Sequence, residues 1–138
     1  MSYALSATLH TTFDDAVTRT RKALADQGFG VLTEIDLKAT MNAKLGEDIE
    51  DYLILGTCNP PLAHRAVNAD RQIGVLLPCN VAVRADTTAG SDAVIVDAMD
   101  PHVMVQLSDQ PGVREVADEA AAKLRAAIDS LVTEESAQ

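Results

Sequence analysis

Ile73-Gly74-Val75-Leu76-Leu77-Pro78-Cys79-Asn80-Val81-Ala82-Val83, then Arg84 to Asp92, then Ala93-Val94-Ile95-Val96-Asp97-Ala98, decides the fold. Two apolar, β-branched runs flank a stretch holding Thr87, Thr88, Gly90 and Ser91. Such a pair reads as two strands joined by a hairpin loop. A hairpin forces antiparallel pairing, so the sheet is expected to be mostly antiparallel. Pro78 cannot donate to a ladder and marks a bulge or an edge within the first run.

The rest of the chain is read outward from this hairpin. Upstream, Leu5, Ala7 and Leu9 alternate with Ser6, Thr8 and His10, the period of a strand. Thr11 or Thr12 then caps a helix to about Gln27, with Asp14 and Asp15 complementing its dipole. Gly28 stops that helix. Gly30 to Ile35 is a second strand, and Asp36 caps a short helix with Leu37, Met41 and Leu45 on one face. Tyr52 to Thr57 is a third strand. Asn59 caps a further short helix, with Pro60 at its first position, where a missing N–H costs nothing. Downstream, His102 to Leu107 reads as a short strand or irregular chain. From Val113 to Leu131 the apolar residues keep helical spacing. The sum is a two-layer α+β domain, with two long helices on a mostly antiparallel sheet. Residues 1–138 read as one domain, with a folded core over about 3–132 and a polar tail at 133–138.

Composition narrows the function. Hydrophobic residues make up 47% of 138 and aromatics only 3%, so the core is built from Val, Leu, Ile and Ala. No apolar run is long enough to span a membrane. Met1 to His10 has no basic region followed by an apolar stretch, so no secretory signal is expected. The expected compartment is the cytoplasm, where a stable structural disulfide is disfavoured. A net charge of −10 repels phosphate backbones, which argues against a nucleic-acid partner. No Ser-His-Asp order, P-loop or Rossmann glycine string is present, so no catalytic motif is recognised.

The two cysteines occupy Leu55-Gly56-Thr57-Cys58-Asn59-Pro60-Pro61 and Leu76-Leu77-Pro78-Cys79-Asn80-Val81. Each is followed by asparagine and sits beside proline at the end of an apolar run. Cys58 precedes a helix cap, where the dipole favours a thiolate. It serves there as nucleophile, redox sensor or metal ligand, or else as a small packed residue at a tight turn. Cys79 reads alone as a core residue. Flanking one short crossover, the two sulfurs are expected within roughly 10 Å, since neighbouring strands lie about 5 Å apart. Cys-x₂-Cys spacing is absent, so a structural zinc site is not indicated. Two thiols with a soft helper (His10, His64, His102, Met99 or Met104) would suit copper or zinc. Asn59 and Asn80 are candidate amide readers of a small polar ligand, or a cap and a bulge bridge. Glu34 and Asp36 would share a strand face, as paired carboxylates or as cap and solvated charge. His64 joins the candidate ligand-binding set and is equally a surface residue.

These motifs, with Thr33-Glu34-Ile35-Asp36-Leu37-Lys38-Ala39-Thr40, Lys44-Leu45-Gly46 and Ile73-Gly74, resemble the prokaryotic family called domain of unknown function 302. The resemblance covers about residues 3–130. It implies a fold similar to the TATA-box-binding protein, in strand, helix, four strands, helix order, here with short helices inserted. It also implies that homodimers are plausible, and it carries no catalytic residues to transfer. Three functions follow as expectations. The first is a protein binding a small molecule or soft metal ion at Cys58 and Cys79. The second is a homodimeric interaction module with packed cysteines. The third is a thiol-dependent sulfur carrier or transferase. The homodimer expectation rests on the sheet. Val75, Leu77, Val81, Val83, Val94 and Val96, or their neighbours in the other register, would need cover from a second copy.

Overall fold

Why α1 stands where it does follows from its ends. Thr12 Oγ1 accepts from the Asp15 N–H at 3.2 Å, and Gly28 supplies a left-handed φ of +85° just beyond the last turn. The computed structural model describes residues 2–136. Strand β1 (Ala4–Leu9) leads into α1 (Phe13–Asp26), β2 (Gly30–Asp36) and α2 (Leu37–Leu45). Strand β3 (Tyr52–Cys58), α3 (Pro60–Ala69), a 3₁₀ helix (Arg71–Leu76) and β4 (Cys79–Ala85) follow. Strand β5 (Val94–Met99), α4 (Val103–Leu107) and α5 (Val113–Ser136) complete the order. The α+β class and the strand, helix, four strands, helix order are those read from the sequence.

The five strands form one antiparallel sheet in the order β1-β5-β4-β3-β2. Helix α1 carries the chain from one edge strand to the other, and the remaining strands step back until β5 pairs with β1. Asp36 Oδ1 accepts from Ala39 at 2.9 Å, and Asn59 Oδ1 accepts from Leu62 at 3.4 Å, so both expected caps are in place.

Both long helices lie on the same sheet face. Leu5, Leu9, Leu55, Val81, Val83 and Val96 point at Leu24, Leu124, Ile128 and Leu131, all buried. A second apolar cluster sits beyond the end of the sheet. It joins Leu62 and Ala66 of α3, Ile73 of the 3₁₀ helix, Met104 of α4, and Val113, Val116, Ala117 and Ala120 of α5. Arg65 pairs with Glu119 across α3 and α5, and Ser108 Oγ donates to Asp70 at 2.6 Å.

Three readings are corrected. Residues 73–83 are not one strand interrupted by Pro78. Asp70 Oδ1 accepts from Gln72 and starts the 3₁₀ helix, Val75 is left 81% exposed, and β4 begins only at Cys79. His102–Leu107 is not strand: 103–107 is helical because it turns Met104 into the second cluster. Val81, Val83, Val94 and Val96 need no partner chain, because α1 and α5 cover them, and Val75 and Leu77 lie outside the sheet. The other register of β4 and β5, with Ala82, Arg84, Ile95 and Asp97, is half-buried, so these strands alternate as a one-sided sheet does. Helix α5 runs to Ser136, past the expected start of the tail, and 137–138 lie outside the described residues.

Candidate functional site

The place where β3 ends and β4 begins is built by three local constraints. Thr57 stands opposite Cys79 in the ladder, and its hydroxyl donates to the Cys79 carbonyl at 2.7 Å. Gly56 has no room for a side chain. A Cβ there would strike Thr33 Oγ1 and come within 2.9 Å of Pro78 Cγ, so glycine lets Thr33 and Pro78 close over it. Strand β2 bulges between Val31 and Thr33, which leaves Leu32 out of the ladder and 68% exposed.

These constraints open a cavity of about 330 Å³ between the strand ends, α3 and α5. Phe29, Leu62, Ala66, Met104, Val116 and Ala120 form most of its walls, Leu32 and Leu77 border it, and both Cys58 and Cys79 line it. The two thiols differ. Cys79 is buried and Cys58 half-buried, and neither is in a disulfide. Burial, and then the nearness of Cys58, push the Cys79 thiol up from 9.0 to about 11. Cys79 is therefore a neutral thiol at physiological pH.

The start of α3 borders the cavity but has no N–H to spare. Pro60 and Pro61 carry none, the Leu62 N–H goes to Asn59 Oδ1, and the Ala63 N–H goes to the Asn59 carbonyl at 2.9 Å. Asn59 Nδ2 donates to the Gln27 carbonyl at 3.4 Å, which ties this turn to the end of α1. A helix start that would otherwise hold an anion or a thiolate is thus closed.

Cys58, Asn59 and Cys79 meet at this cavity, while Asn80, Glu34, Asp36 and His64 stand apart from it. Asn80 is exposed on the uncovered sheet face, near Tyr52, Arg84 and Asp97. Glu34 is ion-paired with Arg21 of α1. Asp36 is spent on its cap. His64 makes a 3.3 Å contact with Asn68. Of the soft helpers, Met104 alone lines the cavity. His10 faces Asp92, His102 lies between Asp100 and Asp118, and Met99 is on the open face. Among the described residues no group of three or more His, Cys, Asp or Glu converges as a metal site. Apart from Met104, the apolar walls were not singled out from the sequence. Leu62, Ala63, Ala66 and Val67 give a small apolar face on α3, and Val116 and Ala120 keep helical spacing on α5, signals that read equally as packing.

The model of the family described as "Domain of unknown function DUF302" matches residues 5–131. The chain belongs to the DUF302 family. A solved structure, an uncharacterized conserved DUF302 protein from Bacillus stearothermophilus, is similar at 25% identity and a TM-score of 0.83. The match covers 94% of this chain and 98% of that one. No curated protein matches the chain. The DUF302 description names no reaction, so function is argued from the cavity.

Proposed function

We propose that this DUF302 chain binds a small, uncharged, mainly apolar organic molecule in the cavity beside Cys58 and Cys79. One observation carries the reading: about 330 Å³ of apolar-walled space opens at a rim where the Thr57 hydroxyl and the Asn59 amide are already engaged. That volume is at the lower end of ordinary ligand pockets. It exceeds what a bare metal ion needs. Two thiols and Met104 are the soft donors at hand, so copper or zinc is a weaker fit than an organic guest. A sulfur carrier or transferase needs donors for developing negative charge, and the first turn of α3 has none free. The net charge of −10 disfavours nucleic acid as the ligand. No helix among the described residues is long and apolar enough to cross a membrane. A cytoplasmic setting suits two reduced thiols.

Titration with a neutral fluorescent hydrophobe such as 1-aminoanthracene tests this. Saturable 1:1 binding, lost in Ala66→Phe with the circular-dichroism spectrum unchanged, is the expected result. Equal binding by the filled variant overturns it. Adding Cu(I) or Zn(II) in parallel shows whether metal displaces the dye.

A second reading, homodimerisation, is favoured by the uncovered sheet face. Its Arg84 and Asp97 pair with each other at 2.9 Å, and Ser6 donates to Asp97 at 2.6 Å. This leaves a nearly neutral patch around Ile35, Ile54, Ala82 and Ile95 on a strongly acidic chain. Two such acidic copies repel least across a face whose charges cancel. A specific dimer would bury at least roughly 1,000 Å² in total. Sedimentation of the wild type against Ile54→Asp decides it. A dimer converted to monomer supports the reading, and a 14.6 kDa monomer in both removes it.

A further inference from the structure

We propose that Cys58 and Cys79 form a reversible disulfide on exposure to peroxide, and that this bond closes the cavity to its ligand. The inference rests on the pocket reading and adds its regulation. Three observations converge. Thr57 pairs with Cys79, so Cys58 is one residue along the neighbouring strand. A strand spacing of about 4.8 Å and an offset of about 3.4 Å give a Cα separation of about 6 Å, within the range of roughly 4.4–6.8 Å that a disulfide spans. Both side chains line the same cavity, and the nearness of Cys58 adds to the upward push on the Cys79 thiol. Cys58 is the last residue of its strand, paired with Gly30, and its side chain lines the cavity together with Cys79.

The chemistry divides between the two according to exposure. Half-buried Cys58 meets the oxidant. Its sulfur attacks one peroxide oxygen, the O–O bond breaks, and the products are a Cys58 sulfenic acid and water. The sulfur of Cys79 then attacks the Cys58 sulfur. The S–O bond breaks, the thiol proton leaves with the hydroxide as a second water, and an S–S bond remains. Two electrons pass from the thiols to one hydrogen peroxide. Burial shields Cys79 from peroxide, and because this neutral thiol must give up its proton as the S–S bond forms, the second step is the slower one. Bridging draws Cys58 inward over Cys79, across the wall against which a ligand packs.

The test treats native protein with equimolar to tenfold hydrogen peroxide. Intact mass should fall by about 2 Da, the two hydrogens lost. A non-reducing peptide map should join the segments holding Cys58 and Cys79, and dithiothreitol should restore the mass. In Cys79→Ser, Cys58 should stop at the sulfenic acid, trapped by dimedone. In Cys58→Ser, Cys79 should stay unmodified. 1-Aminoanthracene affinity should fall at least tenfold on oxidation and recover on reduction. Over-oxidation of wild-type Cys58 without the 2 Da loss overturns the disulfide. An intact bridge with unchanged dye affinity overturns the gating. If reduced protein binds no dye, the pocket reading fails while the mass result still decides the bond.

Discussion

Helix α5 faces two different interiors along its length. Its C-terminal part sends Leu124, Ile128 and Leu131 into the face of the sheet, where strand residues opposite leave them buried on all sides. Its N-terminal part offers Val113, Val116, Ala117 and Ala120 to α3, α4 and the 3₁₀ helix. One continuous helix thus seals a core at one end and walls a cavity at the other. A long helix on a sheet presents large side chains at regular spacing to a regular surface, and the two interdigitate. Three short helical pieces at changing angles offer no such surface, and small residues leave the gap open. In this chain the cavity lies where regular packing stops.

The sharpest way to break the comparison is to remove volume from the sealed half. Leu124→Ala deletes a fully buried side chain and should cost about 3 kcal/mol or more in urea unfolding. Dye binding at the other end should change little once the protein is folded. A loss below about 1 kcal/mol would show that the two halves are packed alike.

A smaller effect is expected from pH, and it belongs to the cavity half. The proton on Cys79 is held up to about 11 in the folded chain, against 9.0 when exposed. The folded state therefore binds more protons than the unfolded one between these values. The stability that follows is complete below about pH 9 and is lost as pH rises to about 11. Two units correspond to about 3 kcal/mol as an upper figure. Cys79→Ala should flatten that alkaline decline while keeping the acid side unchanged. An identical alkaline profile in the variant would remove the assignment. In native protein, iodoacetamide should label Cys58 well before Cys79, and equal rates would contradict their difference in burial.

The smallest stability change is expected from adding volume to the cavity half. Ala120→Leu, on the cavity wall, should shift stability by less than about 1 kcal/mol in either direction. The same variant should weaken dye binding at least tenfold. A cost of several kcal/mol would mean that the wall is packed as tightly as the sheet face.

Much of this architecture was legible in the chain because its signals are local. Period-two alternation in Leu5, Ala7 and Leu9, caps at Thr12, Asp36 and Asn59, and proline after Asn59 each act within a few residues. The cavity was half legible. Cys58, Asn59 and Cys79 were singled out for their place at strand ends, and all three line it. Glu34, Asn80 and His64 were singled out with them, yet they sit elsewhere. Alternation sends Asn80 to the opposite face from Cys79, Arg21 captures Glu34, and His64 turns to Asn68.

The sequence by itself determined the sheet, the two long helices, the caps and the acidic surface, because propensity, periodicity and charge are properties of short segments. Only the tertiary structure decided which face of β4 and β5 the helices cover, and that residues 71–76 coil instead of extending. It also decided that Met104 and Ala120 share a wall with the two thiols. A strand pattern marks two faces without saying which will be covered. An alanine on a helix reads the same whether it packs against a neighbour or borders empty space. Those choices depend on contacts between residues far apart in the chain, and they come into being when the layers close.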